Sequence, residues 1–229
     1  RGSLPVRRYL SKVGIIVWKD ILAELRTREM LSSMLVFALL VTVVFSFAFE
    51  FTPLDVASLA PGLLWIAFAF AGVLGLNRSM AVEKESNSLQ GLMLAPLDRS
   101  GIYVAKMLGN LVFLAAVEAI VVPVFWVLFN LRGFSPLLLA VLPLGTLGFV
   151  APGTLFAAMT VHTRAREVML PLLLLPVSVP VLVASIKATN ALLGGESLAG
   201  AGGWLQLLLA CDVVFVVLSL LTFEYVLEE

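Results

Sequence analysis

Residues 31–51, LSSMLVFALLVTVVFSFAFEF, decide the fold. The stretch holds one ionisable side chain, Glu50, next to its end. A helix rises about 1.5 Å per residue, so roughly 20 apolar residues cross a hydrocarbon layer of about 30 Å. Five more stretches pass the same test, at about 59–77, 104–130, 136–161, 167–189 and 203–226. In lipid every backbone polar group needs an internal partner, which a helix supplies. The six spans and their short connectors therefore predict an all-α membrane protein, a compact bundle of six transmembrane helices in one domain. Composition agrees. The chain is 61% hydrophobic and 13% charged, against about 45–50% and about 25% for a soluble domain. Mean hydropathy is +1.07.

Several function classes fall away. Fifteen basic and fifteen acidic residues give a net charge of zero, and nucleic-acid binding needs a basic stripe. The single cysteine, Cys211, forms no internal disulfide and builds no metal site; it reads as a small buried apolar residue. The single histidine, His162, stands beside Arg164 and Arg166 and reads as a surface residue rather than a haem ligand. No His, Cys and carboxylate cluster has metal-ligand spacing. The five lysines precede Val, Asp, Glu, Met and Ala, so no GxxxxGK[ST] loop is present to cradle ATP phosphates. No nucleophile elbow, kinase motif set or zinc signature occurs either. The chain is expected to bind no cofactor and to catalyse nothing, so any uphill work is driven by a partner or an ion gradient. Arg1, Gly2 and Ser3 stand where an initiator Met is expected and are set aside. The first long apolar run is too long for the core of a cleavable signal peptide.

Residues 4–28 differ from the spans. Leu10, Val13, Val17, Ile21 and Leu25 recur at the helical period, with Arg7, Arg8, Lys12 and Lys19 off that stripe and Trp18 as a headgroup anchor. This predicts an amphipathic helix in the membrane interface. Basic residues set orientation, because cytoplasmic connections carry the Lys/Arg excess. Arg1, Arg7, Arg8, Lys12, Lys19, Arg26 and Arg28 precede the first span. Arg78, Lys84, Arg99 and Lys106 surround the second connection, and Arg164 and Arg166 lie in the fourth. Only Arg132 and Lys187 lie on the other side. Both termini are thus expected in the cytoplasm.

The longest polar interruption lies between the second and third spans. Glu83 to Leu94 suits a short helix, with Leu89, Leu92 and Met93 apolar and Glu83 and Glu85 polar; Pro96 ends it. Apolar side chains beside charges compose a docking surface. Glu118 falls mid-span, where an ionisable group costs at least ~2.5–3.5 kcal/mol and turns into the bundle. Asn110 lies two turns earlier on a similar face. The pair reads either as a substrate-path or gating contact or as a hydrogen-bonded glue between helices. Pro171, Pro176 and Pro180 interrupt the fifth span and read as a hinge or a static bend. Asp212 and Glu50 are taken as near span ends, with interfacial solvation. Gly72 and Gly145 fail the small-xxx-small spacing, so glycine packing is not signposted. Gly194 to Gly203 reads as a flexible outer turn.

These pieces resemble the CcmB family, haem exporter protein B, a permease of cytochrome c maturation. The likeness rests on the basic N-terminal segment, on LAPGLLWIAFAFAGVLGLNR at 59–78, on EKESNSLQGLMLAPLDRSGIYVAKMLGN at 83–110 and on LPVSVPVL at 175–182. The block at 83–110 is the most specific of these. The resemblance implies an ABC-2-type permease in a bacterial inner membrane. Two copies would pair with two copies of a separate CcmA-like ATPase, which holds the ATP. CcmC-like and CcmD-like membrane proteins and a CcmE-like haem chaperone would complete the assembly. The complex would handle haem, or use ATP to release the loaded chaperone. The tryptophan-rich haem motif of CcmC is missing here, so no haem ligands are placed on this chain. By the same resemblance, 83–97 is a coupling helix, with Glu83, Glu85, Leu89, Leu92, Leu94 and Pro96 facing the ATPase.

Three other readings share parts of this pattern: an ABC-2 permease for a lipid, drug or polysaccharide, a membrane assembly scaffold, and an ion-driven carrier. The lack of an internal repeat and the few buried charges weigh against the last.

Overall fold

A computed structural model of the chain describes residues 5–50, 56–85, 99–131, 136–161, 163, 165–195 and 198–226. Seven helices follow in order: α1 Pro5–Thr27, α2 Glu29–Glu50, α3 Val56–Glu85, α4 Arg99–Leu128, α5 Leu138–Thr160, α6 Arg166–Leu193 and α7 Leu198–Val226. α2 to α7 are each long and apolar enough to cross a membrane. The six expected spans are these six helices.

α1 begins on Pro5, where the missing N–H costs nothing. It ends at Arg28, which turns the chain with φ of 56° and donates its N–H to the Glu24 carbonyl at 2.7 Å. The Glu24 carboxylate then accepts the Leu31 N–H at 2.8 Å. One side chain thus closes the end of α1 and satisfies an orphan donor at the start of α2. Arg78 of α3 forms an ion pair with Glu29 beside this elbow.

Three sequence expectations change. First, the Leu10-to-Leu25 stripe divides, with Val13, Val17 and Ile21 packed against protein and the two end residues exposed. Val13 and Ile16 are buried against Ala105 of α4, with Tyr9 and Val17 beside them, while Leu10 and Leu25 are exposed with Ile15, Trp18 and Leu22. α1 is apolar on two sides, so one period-matched stripe did not decide which side meets protein. Second, α3 continues as helix through Glu85, eight residues past the expected end at 77, because no breaker interrupts NRSMAVEKE. Glu83 and Glu85 therefore stand on the last turn of α3. Third, the outer turn before α7 is shorter than the glycines suggested. Gly195, at φ of 79°, makes the turn, whereas Gly200, Gly202 and Gly203 are already helical.

α5 lies at the centre, packed against α3, α4, α6 and α7. No residue from Gly145 to Ala158 is exposed. α2 and α7 lie outermost and turn Val36, Leu40 and Phe47, and Val213, Val217 and Leu221, outward. Apolar side chains facing out around a central uncharged helix suit a lipid surround.

α1 is also held by charge. Lys106 of α4, 2% exposed, reaches Asp20 at 2.7 Å, and Lys19 approaches the other Asp20 oxygen at 3.2 Å. Removing one member of a buried pair strands the other charge. Lys106→Ala is expected to lower stability by roughly 3 kcal/mol. Lys106→Met combined with Asp20→Leu is expected to recover most of that loss. Thermal unfolding of the detergent-solubilised chain checks both.

Candidate functional site

The sequence of α5, LLAVLPLGTLGFVAPGTLFAAMT, carries no charge and few large side chains around its middle. Each neighbouring helix turns polar atoms onto it. From α4, the Asn110 amide donates to Thr154 Oγ1 at 3.1 Å. Two turns on, Glu118 meets Thr146 Oγ1 in a short hydrogen bond. Asn110 and Glu118, like Thr146 and Thr154, are eight residues apart, so two antiparallel helices match rung for rung. Tyr103 donates its hydroxyl to the Ala151 carbonyl at 3.0 Å, and Ser219 of α7 reaches the same oxygen at 3.5 Å. On the outer half, Trp65 of α3 donates its indole N–H to Thr189 of α6 at 3.0 Å.

Thr146 Oγ1 lies 2.8 Å from the Leu142 carbonyl as well as against Glu118 Oε1, and both oxygens accept from it. A hydroxyl has one hydrogen to donate, so the two acceptors share it. Glu118 is buried.

On another side of α5 the polar atoms lack partners. Asp212 of α7 is 3% exposed, and neither of its carboxyl oxygens has a hydrogen-bond partner. Ser185 Oγ of α6 is likewise buried and unpartnered. A Cβ added to Gly148 would lie 2.5 Å from Asp212 Oδ1 and 3.0 Å from Val181. One added to Gly145 would meet Ser185 Oγ and the Trp65 ring. Glycine at these two positions is what lets α6, α7 and α3 approach the α5 backbone.

The residues singled out in the sequence separate into three places. Asn110 and Glu118 are brought together on one side of α5, buried. Pro171, Pro176 and Pro180 all lie within a continuous α6, with Pro176 and Pro180 exposed on its outer side. They share no site with Glu118. Ser178, between them, bonds back to the Leu174 carbonyl at 2.8 Å. Glu83 and Glu85 stand at the end of α3, while Leu89, Leu92, Leu94, Pro96 and His162 lie outside the described residues. Asp212 corrects the sequence reading. It is the central residue of Leu198–Val226 and is buried, so interfacial solvation does not reach it. Thr146, Thr154 and Ser185 were missed because a lone hydroxyl in an apolar run carries no period of its own. Gly145-x-x-Gly148 was missed because the spacing sought was four rather than three. Among the described residues no three His, Cys, Asp or Glu side chains gather to hold a metal.

Fold and site together define a polytopic membrane protein whose interior offers hydrogen bonds around one helix. The chain belongs to the CcmB family: the family model described as CcmB protein matches residues 12–228. It is 33% identical over 166 residues to Heme exporter protein B of Paracoccus denitrificans, covering 72% of this chain and 74% of that protein. It is 31% identical over 181 residues to Heme exporter protein B of Pseudomonas aeruginosa, covering 79% and 81%. With Heme exporter protein B of Escherichia coli K12 it shares 29% over 187 residues, covering 77% and 83%.

Thr146→Val keeps the shape of the side chain but leaves the Glu118 carboxyl unpartnered, an expected cost of about 1–3 kcal/mol. Glu118→Gln keeps a hydrogen-bonding group in place and is expected to cost about 1 kcal/mol or less. Unfolding midpoints of the two variants and their double mutant in one detergent give the coupling.

Proposed function

We propose that this chain is the membrane-spanning subunit of an ABC-type haem exporter acting in cytochrome c maturation. The carrying observation is the family match over nearly the whole chain, with bacterial relatives named Heme exporter protein B aligned over 74% and 81% of their length. Six spanning helices supply a permease body. The sequence contains no phosphate loop, so ATP is bound and hydrolysed by a separate CcmA-like subunit. Bacterial relatives and the six spans point to the inner membrane, and the Lys/Arg asymmetry puts both termini in the cytoplasm.

In this reading the ATPase docks where α3 ends and α4 begins, on Glu83, Glu85 and the segment that follows, with Leu89, Leu92, Leu94 and Pro96. α4 enters the bundle from that segment and is tied to α5 through Asn110 and Glu118. A push at the docking segment therefore arrives at the central helix, and Glu118 acts as a gating contact. The prolines of α6 leave carbonyls without their usual donors and give that helix its compliance. α1 lies in the interface with Trp18 and Leu22 toward lipid. Two copies of the chain, CcmC-like and CcmD-like membrane proteins and a CcmE-like chaperone complete the assembly, and haem passes through the complex without ligands from this chain.

Reversing charge at Glu85 to Lys together with Leu89→Asp is expected to abolish co-purification of the ATPase subunit from mild detergent. The folded yield of the permease is expected to stay the same. Co-purification at the wild-type level contradicts the docking assignment.

A further inference from the structure

Asp212 is unexplained by anything above. It lies mid-membrane in α7, turned against the Gly148 backbone of α5 and Val181 of α6. Charged or titratable groups that approach from the surrounding helices are already engaged. From α4, Glu118 holds Thr146, Tyr103 holds the Ala151 carbonyl and Lys106 holds Asp20. α5 carries no ionisable residue, and Lys187 of α6 is exposed near the far end of its helix. On α7 itself the neighbour is Cys211, a weak donor. Among the described residues, the unpartnered buried side-chain oxygens are those of Asp212 and Ser185. They sit against Gly148 and Gly145, one turn apart on α5 and so about 5–6 Å apart in Cβ terms. Val181 and Ser185 are likewise one turn apart on α6.

An ionised carboxylate with no donor and no cation inside a bundle costs several kcal/mol, a large share of a domain's stability. A proton removes the charge, and it also turns an acceptor-only group into a donor. We propose that Asp212 is a proton-binding site in the membrane interior, carried as the neutral acid between α5, α6 and α7. No bond other than O–H forms. The proton comes from the aqueous phase. Gly148 makes the site possible, since any larger side chain would fill it.

Infrared spectroscopy of the full-length chain in lipid nanodiscs, grown with carboxyl-labelled aspartate, reads the state directly. The chain has four aspartates, Asp20, Asp55, Asp98 and Asp212. Asp20 is paired with Lys106, and Asp55 and Asp98 fall in connections between spans. At neutral pH the expected spectrum holds one aspartic-acid carbonyl band that moves with the isotope. The band is expected to vanish in Asp212→Asn and to persist in Glu118→Gln. Asp212→Asn, as a neutral isostere, is expected to fold with wild-type yield. Should it fail to fold, the labelled wild type still decides. Aspartate seen only as carboxylate overturns the proposal, as does an acid band that survives Asp212→Asn.

Discussion

The structure depends on the enclosure of α5 on every side. Packed against α3, α4, α6 and α7, the middle of α5 has no lipid-facing side, and Gly, Ala and Thr make up eight of the fourteen residues from Gly145 to Ala158. Close approach without bulk is the main source of helix association in lipid, where hydrophobic burial between helices adds little. Small residues also leave backbone carbonyls within reach, and Tyr103 and Ser219 use that of Ala151. Polar atoms turned toward such a helix have no water to fall back on. They meet one another, as Asn110 and Thr154 do, or they hold a proton.

The periphery follows from the same constraint. α7 and α2 are apolar outward, while Leu208, Asp212, Ser219 and Phe223 of α7 and Met30, Met34, Ala38 and Thr42 of α2 are buried inward. α1 is fixed to α4 by Val13 and Ile16 and by the Lys106–Asp20 pair, on the half of α4 that also bears Asn110. α1 and the central helix therefore both meet α4.

Much of this was legible in the sequence for a physical reason. A membrane span needs length and apolarity, and both are local properties that residues such as 31–51 display in full. Glu118 was legible too, because an ionisable residue in hydrocarbon stands out on cost alone. The partners of these groups were not. Thr146 sits 28 residues from Glu118, and nothing local distinguishes it from Thr42, whose hydroxyl bonds its own helix at Ala38. The side of α1 that meets α4 was not legible, because Ile15 and Ile16 look alike in a hydropathy pattern, though only the second is buried. Asp212 was read as close to a span end, although α7 begins before the glycines and places it at the centre. Relative helix rotation, which decides all three, is a tertiary property.

Leucine scanning of the small residues of α5 tests the enclosure directly. Gly145, Thr146, Gly148, Ala151, Gly153, Thr154, Ala157 and Ala158 lie all round the helix and none is exposed. Leucine is welcome on a lipid-facing side and fits nowhere against α3, α4, α6 or α7. The expected result is loss of monodisperse folded protein at these positions irrespective of the side they occupy. Tolerance recurring every three or four residues would contradict the enclosure, because it would give α5 an open side.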